Sequence, residues 1–250
     1  MNKMGGVFAV RPSQGPHKLR ESIPLQVVLR DKLRFALTGR EADVILHQKE
    51  GLVRVDKRVR RDPKYPVGLM DVIDLPKVGV SYRVLYDAKG RFTFVRLPAK
   101  ENAFKLCRVQ RKMVGPNKVA YLVTHDGRTL RFADNDIGLN DTVKLNLETR
   151  QIEEWYPMAT HSLAYVSDGT NRGRVGTITH ISKLDGNFDL VSLKDAQGHA
   201  FTTRINYVFV IGKHAPSISL PRGRGVKLSI LEEADRRNAR AADSAAPNAQ

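Results

Sequence analysis

The chain is poor in cysteine and tryptophan: its 250 residues hold one of each, Cys107 and Trp155. A lone thiol excludes an internal disulfide framework and any zinc site built on paired thiolates, and it points to a reducing compartment. Long hydrophobic runs are missing as well. None approaches the roughly 18 residues of a membrane-spanning helix. The opening residues, Met1 to Phe8, lack the apolar segment of a signal peptide and lead directly into the basic stretch Arg11 to Arg20. Acidic residues are outnumbered, 26 Asp and Glu against 42 Lys and Arg, for a net charge of +16 and a pI near 10.1. Such an excess calls for a polyanionic partner. The basic residues fall in strand-and-turn regions rather than on one long amphipathic helix, which favours nucleic acid over a membrane surface.

Catalytic signatures are also lacking. Seven histidines are scattered, with His125 beside Asp126 and the others without metal-site spacing, so hydrogen-bonded or solvated structural roles are expected and no metal site. Gly169 to Gly176 has no Gly-Lys-Ser/Thr ending, and Gly223-Arg224-Gly225 lacks the third glycine and preceding strand of a dinucleotide site, so no nucleotide cofactor is expected. Lys183-Leu184-Asp185-Gly186 is similar to the Arg-Leu-Asp motif of pseudouridine synthases. Its surroundings read as a small β unit without a large catalytic domain, and a surface turn is the better reading.

What is present begins at residues 24–75. Leu25, Val28, Leu29, Leu33, Ala36 and Leu37 recur at helical spacing and predict one apolar stripe. Thr38-Gly39-Arg40-Glu41 is a capping box: the threonine oxygen takes a free amide and Glu41 reaches back to the Thr38 amide. The second helix runs through Ala42, Val44, Ile45 and Leu46. After Gly51 the period becomes two, with Leu52, Val53 and Val55 leading into an Asp56-Lys57 turn and Val59 flanked by Arg58, Arg60 and Arg61. The pattern closes on Val67-Gly68-Leu69-Met70-Asp71-Val72-Ile73. It resembles the alpha-L RNA-binding module of ribosomal proteins and RNA-modifying enzymes; an ordinary small αβ domain with solvated basic residues is the alternative. Before it, Arg11 to Arg20 reads as an extended basic strap, or as a flexible tail.

From Ser81 the signal is β: Tyr82, Val84 and Tyr86 alternate, Asp87-Ala88-Lys89-Gly90 turns, and Phe92, Phe94 and Val95 return. Glu101 to Lys105 suggests a helical turn. Short strands follow at Leu106–Val109, Val119–Thr124, Thr129–Phe132 and Thr142–Leu147, fitting a small antiparallel barrel or sandwich. Trp155 and Tyr156 suit base stacking, although packing is the commoner use of such a pair. A third unit starts near His161: strand Leu163–Val166, a basic glycine loop with Asn171, Arg172 and Arg174, extended structure from Val175, a loop at Ser182–Asn187, then strands around Leu190 and at Ala200–Arg204. This order resembles the KOW motif, with Gly176 as its internal glycine. Beyond Val208–Lys213, Arg222-Gly223-Arg224-Gly225-Val226-Lys227 combines guanidinium groups with small residues that let the backbone approach phosphates. A charged helix is expected over Leu231–Ala242, and no regular structure over Ser244–Gln250.

Together these segments resemble the small-subunit ribosomal protein eS4 family, eukaryotic form, from Gly6 to about Arg240. The residues that carry the resemblance are Gly6-Val7-Phe8-Ala9, Arg11-Pro12-Ser13, Gly15 to Glu21, Val67 to Ile73, Lys105-Leu106-Cys107, Thr124-His125-Asp126, Phe209 to Lys213 and Leu220 to Gly225. Members usually begin with a further Lys/Arg-rich stretch before the segment matching Lys3 to Ala9. The resemblance implies an α+β chain without catalysis: a basic arm (1–22), an alpha-L module (23–76), a central β domain (77–157), a KOW-containing, SH3-like small barrel (158–212) and a basic extension (213–250). It implies binding to small-subunit ribosomal RNA and neighbouring small-subunit proteins, with no membrane and no homo-oligomer, in the cytoplasmic ribosome and, if eukaryotic, in the nucleolus during assembly. The candidate RNA contacts are Arg11, His17, Lys18 and Arg20 on the arm; Lys32, Arg34, Arg40, Arg54, Lys57, Arg58, Arg60, Arg61 and Lys64 in the module; Asn171, Arg172 and Arg174 in the glycine loop; and Arg222, Arg224 and Lys227 in the tail. Two rival classes are an RNA-modifying enzyme using the module for capture, and a transcription or assembly factor using the KOW unit.

Overall fold

In a computed structural model, residues 9–245 are described. The expected Gly6-to-Phe8 match and most of the expected irregular end, 246–250, lie outside them. Pro24, with φ −67 and ψ 143, ends strand β1 (Ile23–Pro24) and presets the entry to α1 (Leu25–Val27), which continues as a π-helical turn over Val28–Lys32. Leu25, Val28, Leu29 and Ala36 are buried as expected, but Leu37 is 84% exposed. The stripe breaks because the helix ends at Leu33, whose N–H reaches Val28 O at 2.9 Å, and Arg34 turns left-handed at φ 58. Thr38 caps α2 (Gly39–His47), its Oγ1 accepting from Glu41 N at 3.3 Å. The return bond of the box differs from expectation: Glu41 Oε2 accepts from Leu37 N at 2.8 Å.

Strands β2 (Arg54–Val55) and β3 (Arg58–Val59) are joined by Asp56 and Lys57 at φ 51 and 63, the type I′ geometry that matches strand twist. Next come β4 (Pro66–Val67), which pairs with β1, and then β5 (Val72–Leu75), β6 (Val80–Tyr86) and β7 (Phe92–Arg96). The sheet order is β3-β2-β5-β6-β7. The hairpin expected to open the central domain is therefore an extension of the module's sheet, which runs through residues 76 and 77. A tight turn, Gly79 N to Leu75 O at 3.0 Å, folds β6 directly back onto β5.

A single 3₁₀ turn over Ala99–Ala103 leads into β8 (Phe104–Val114), the long middle strand of the second sheet. It is flanked by β9 (Ala120–Thr124), β10 (Thr129–Arg131), β11 (Thr142–Asn146) and β12 (Ile152–Tyr156), in the order β10-β9-β8-β11-β12. Cys107, Val109, Leu122, Leu130, Ile137, Val143 and Leu145 form its core, with Trp155 packed against them. The third sheet contains β13 (Leu163–Val166), β14 (Val175–Ser182), β15 (Leu190–Lys194), β16 (Ala200–Arg204) and β17 (Val208–Gly212), ordered β16-β15-β14-β13-β17. A Cβ at Gly176 would sit 2.9 Å from Lys194 O on the neighbouring strand, so this position needs the close approach expected of it. Lys183 to Gly186 is a surface turn, Gly186 having φ 74.

One core joins all three sheets. Leu69, Met70, Leu85, Tyr86, Phe104, Leu106, Tyr165, Val175, Phe209, Ile211 and Ile218 pack together, and the Tyr165 hydroxyl accepts from Tyr86 N at 2.6 Å and donates to Tyr86 O at 3.0 Å. The tail is docked, since Ile218 belongs to this core and Val175 N donates to Gly225 O at 3.1 Å. Ser229 and Glu232 cap α3 (Ile230–Ala245) reciprocally, at 3.3 and 2.8 Å. The helix includes Ser244 and Ala245, beyond the expected end. The whole is an α+β chain of small sheets and few helices. No helix among the described residues is long and apolar enough to cross a membrane.

Candidate nucleic-acid interface

Beneath the junction of the first two sheets lies a buried ionic cluster. Lys105, from β8, places its Nζ 3.0 Å from Asp56, 2.5 Å from Asp71 and 2.9 Å from Asp126. Asp56 comes from the β2–β3 turn, Asp71 from the approach to β5, and Asp126 from the β9–β10 turn. Arg128 closes the cluster, its Nε 2.7 Å from Asp126 and its Nη2 on Asp56. Burial alone would push the Asp71 and Asp126 carboxyls up, but the facing charges, His17 and Lys105 on Asp71 and Lys105 foremost on Asp126, hold both well below the usual carboxylate range. Against its own desolvation, the three carboxylates likewise raise Lys105.

His17 belongs to this cluster rather than to an RNA surface. Its Nε2 lies 2.9 Å from Asp71 Oδ2, and the residue is buried. The arm is correspondingly not a free strap. Ser13 N donates to Lys64 O at 2.8 Å and Ser13 Oγ to Asp62 at 2.9 Å, tying it to the module. A side chain expected among the basic RNA contacts is instead the buried anchor of its segment, because Asp71 faces it from 54 residues away.

Cys107, His125 and Asp126 bring potential metal-ligand atoms within 4.8 Å of one another. Their lone pairs and protons are otherwise committed. His125 Nδ1 accepts from Arg108 N and its Nε2 donates to Leu69 O, both at 3.3 Å, and burial drives the imidazole down to about 3. Asp126 is held by Lys105 and Arg128, and burial pushes the Cys107 thiol up. The trio fits a hydrogen-bonded corner, not a cation.

Above the cluster opens a cleft of about 1220 Å³. The arm and the β2–β3 hairpin form one wall, with Arg58, Arg60 and Arg61; the other carries Arg128 and Arg131 from β10 and its approach, and Arg150 from the β11–β12 turn. Among the described residues, Arg58, Arg61, Arg131 and Arg150 enter no ion pair, while Arg60 lies 4.5 Å over the Tyr65 ring. The Arg150 charge, more than burial or the charges of Arg128 and Arg60, lowers Arg58. Exposed Asp62 and Asp134 and buried Asp56 and Asp126 line the same cleft, so its six arginines outnumber its four aspartates and leave a net positive surface suited to anions.

The remaining sequence candidates are distributed unevenly. Arg11, Lys18, Arg20, Arg34, Arg40 and Lys64 are exposed but do not line this cleft; Lys32 is half-buried. Arg54 and Lys57 join Arg58, Arg128 and Arg150 around a smaller hollow, with Lys57 paired to Asp74 at 3.3 Å. Exposed Arg222 and Lys227 line a separate groove against β7, and Arg224 is exposed beside it. The glycine loop departs from expectation. Arg172 pairs with Asp168 at 2.5 Å and stacks 4.7 Å from the Tyr86 centroid; Arg174 pairs with buried Asp195 and lies 3.7 Å over Phe201, with 11% of its side chain exposed. Asn171 donates to Thr202 O at 3.2 Å. The loop turns inward because Gly173 lets it press on the β6–β7 turn: a Cβ there would meet Asp87 O at 1.9 Å. Its guanidinium groups therefore serve the fold. Arg128, Arg131 and Arg150 escape sequence reasoning, because only the folded sheet brings them opposite Arg58.

Family models match in three places: the S4 domain over residues 23–73, ribosomal family S4e over 78–152, and the 40S ribosomal protein S4 C-terminus over 195–241. Among curated relatives, small ribosomal subunit protein eS4 of Ixodes scapularis is 52% identical over 238 residues, covering 95% of this chain and 90% of that one. The eS4 protein of Tetrahymena thermophila is 49% identical over 95% of this chain and 92% of its own. The chain belongs to the ribosomal S4e family. A crystal structure of the 30S ribosomal protein S4e from Thermoplasma acidophilum is similar at a TM-score of 0.66 and 33% identity, covering 77% of this chain and 96% of that one. The S4e family is a ribosomal structural family and not enzymatic. Its S4 domain match contains the hairpin wall of the cleft, and the S4e match contains Arg128, Arg131 and Arg150.

Proposed function

We propose that this chain is a structural constituent of the small ribosomal subunit and that it grips small-subunit ribosomal RNA in the cleft between its S4 domain and its second sheet. The observation that carries the reading is the set of unpaired arginines, Arg58 against Arg150 with Arg61 and Arg131 beside them, held facing one another by a buried ionic cluster. Guanidinium groups fork onto phosphate oxygens, and an uncompensated set recovers its mutual repulsion when phosphates enter. The exposed residues Arg222, Arg224 and Lys227 extend the basic surface along the tail, and the third sheet serves as a KOW-type element whose inward-turned loop braces the fold. One copy sits in each particle beside neighbouring small-subunit proteins, entering at the nucleolar stage of assembly and remaining in cytoplasmic ribosomes.

Arg58→Ala with Arg150→Ala tests this. Binding of the full chain to small-subunit RNA should weaken, and the log-log salt slope should fall by about 0.7 to 0.9 for each phosphate that is no longer neutralised. Unchanged affinity and slope would move the interface away from the cleft. Stoichiometric, salt-resistant presence in mature subunits separates this reading from an assembly or RNA-modification factor, which would associate transiently with precursors.

A further inference from the structure

Phosphate recognition leaves one side chain of the cleft without a task. Phe132 follows β10 and lines the cleft with 78% of its surface exposed. Its backbone is left-handed, φ 57, a conformation costly for a bulky residue and natural to glycine or asparagine. The turn needs only its backbone, since Phe132 N donates to Ala120 O at 3.1 Å. The ring therefore contributes nothing to the turn and little to packing. It is also not alone: the Arg131 guanidinium lies 5.4 Å from its centroid, and the unpaired Arg58 and Arg150 line the same cleft.

We propose that Phe132 is a stacking platform for an unpaired nucleobase, so that the cleft takes a single-stranded or bulged RNA segment whose flanking phosphates rest on Arg58, Arg131 and Arg150. The inference rests on the RNA-binding reading above and adds to it the class of RNA and the residue that selects it. Bases inside a duplex stack on one another and offer no free face to a ring approaching from the side, whereas an unpaired base does. A basic groove joined to an exposed aromatic is the arrangement by which single strands are held, and a cation beside the ring strengthens the stack. At about 1220 Å³ the cleft exceeds the volume of a small-ligand pocket, leaving room for a base and its neighbours.

The test uses the full chain, a single-stranded RNA oligonucleotide carrying one 2-aminopurine, and a fully paired duplex of the same sequence. Phe132→Ala and Phe132→Leu should each weaken single-strand binding about tenfold, Phe132→Trp should bind like the parent, and the duplex should not distinguish any of them. Salt slopes and melting temperatures should stay at parental values, because the ring neutralises no phosphate and packs against little. The parent should quench the 2-aminopurine and Phe132→Ala should not. Parental binding by Phe132→Ala, equal weakening toward both probes, or full activity of Phe132→Leu would overturn the proposal. If any of these occurs while the parent keeps steep salt-dependent binding, stacking alone falls; if the parent shows no salt-dependent binding to either probe, the RNA-binding reading falls with it.

Discussion

Lys105→Met isolates the contribution of the buried cluster. The substitution keeps the aliphatic stem in its packed position and removes a charge whose side chain is fully buried among Asp56, Asp71 and Asp126. Arg128 still faces Asp56 and Asp126, and His17 still faces Asp71, so the carboxylates lose their central partner rather than every partner. Breaking a buried pair in this way costs about 3–5 kcal/mol, and at about 2–4 °C per kcal/mol for chains of this size the melting temperature should drop by roughly 6–20 °C. The pH dependence gives a second, sharper signature. In the parent, Asp71 and Asp126 are held below their unfolded values, so their stabilisation is present above about pH 4 and is lost as pH falls through the depressed folded values. In Lys105→Met the buried carboxylates lose their central cation but keep His17 and Arg128, so their folded values rise toward the unfolded ones and the acid limb should flatten. Circular-dichroism melts of both proteins across that limb supply the measurement. A variant melting within a few degrees of the parent, with the same acid limb, would refute the view that this cluster holds the two sheets together.

Three further outcomes rest on the same geometry. Arg172→Ala with Arg174→Ala should lower stability by about 3 kcal/mol or more, since Arg174 leaves buried Asp195 unpaired; thermal melts decide, and unchanged melting would return the loop to the RNA surface. Gly176→Val should destabilise by about 1–3 kcal/mol, because its Cβ meets the Lys194 carbonyl; normal melting would show that β15 gives way. Burial pushes Tyr86 up to about 12 and Tyr165 higher still. With folded values above the unfolded one, their stabilisation is complete below about pH 10 and is lost as pH rises above it, so an ultraviolet phenolate titration should show Tyr86 and Tyr165 ionising after the other tyrosines, their appearance coinciding with unfolding.

Local chemistry is legible wherever a signal and its partner lie close together in the chain. The Asp56-Lys57 turn, the Thr38 cap and the β6–β7 hairpin all declare themselves through residue types a few positions apart. Leu37 misleads because helical spacing carries no mark of where a helix stops, and a π turn followed by left-handed Arg34 ends α1 before the stripe does. A first domain boundary after residue 76 falls at a turn between two strands, but turns join strands of one sheet as readily as they separate domains, and Pro76 to Gly79 does the former. Charge is the least legible property. Arg174 and Arg150 look alike in sequence; Asp195 neutralises one across a strand pair, and nothing among the described residues pairs with the other.

The same limit explains why cluster and cleft emerge only together. The three aspartates lie 21 to 49 residues from Lys105, too far along the chain for local spacing to pair them. Their convergence pins the β2–β3 hairpin, which carries one wall of arginines, against the β9–β10 turn of the second sheet, which carries the other. Without that pin, repulsion between Arg58 and Arg150 would favour separating the walls. Arg128 stands in both places, partly exposed at the cleft and paired below with Asp56 and Asp126. The buried carboxylates thus act at short range to hold the two sheets, with Arg128 paired to two of them beside the cleft, so an incoming phosphate meets the unpaired arginines at a fixed spacing. An arginine excess that would loosen an isolated sheet is in this way held as a preorganised anion site, with part of the compensating negative charge buried in the cluster below it.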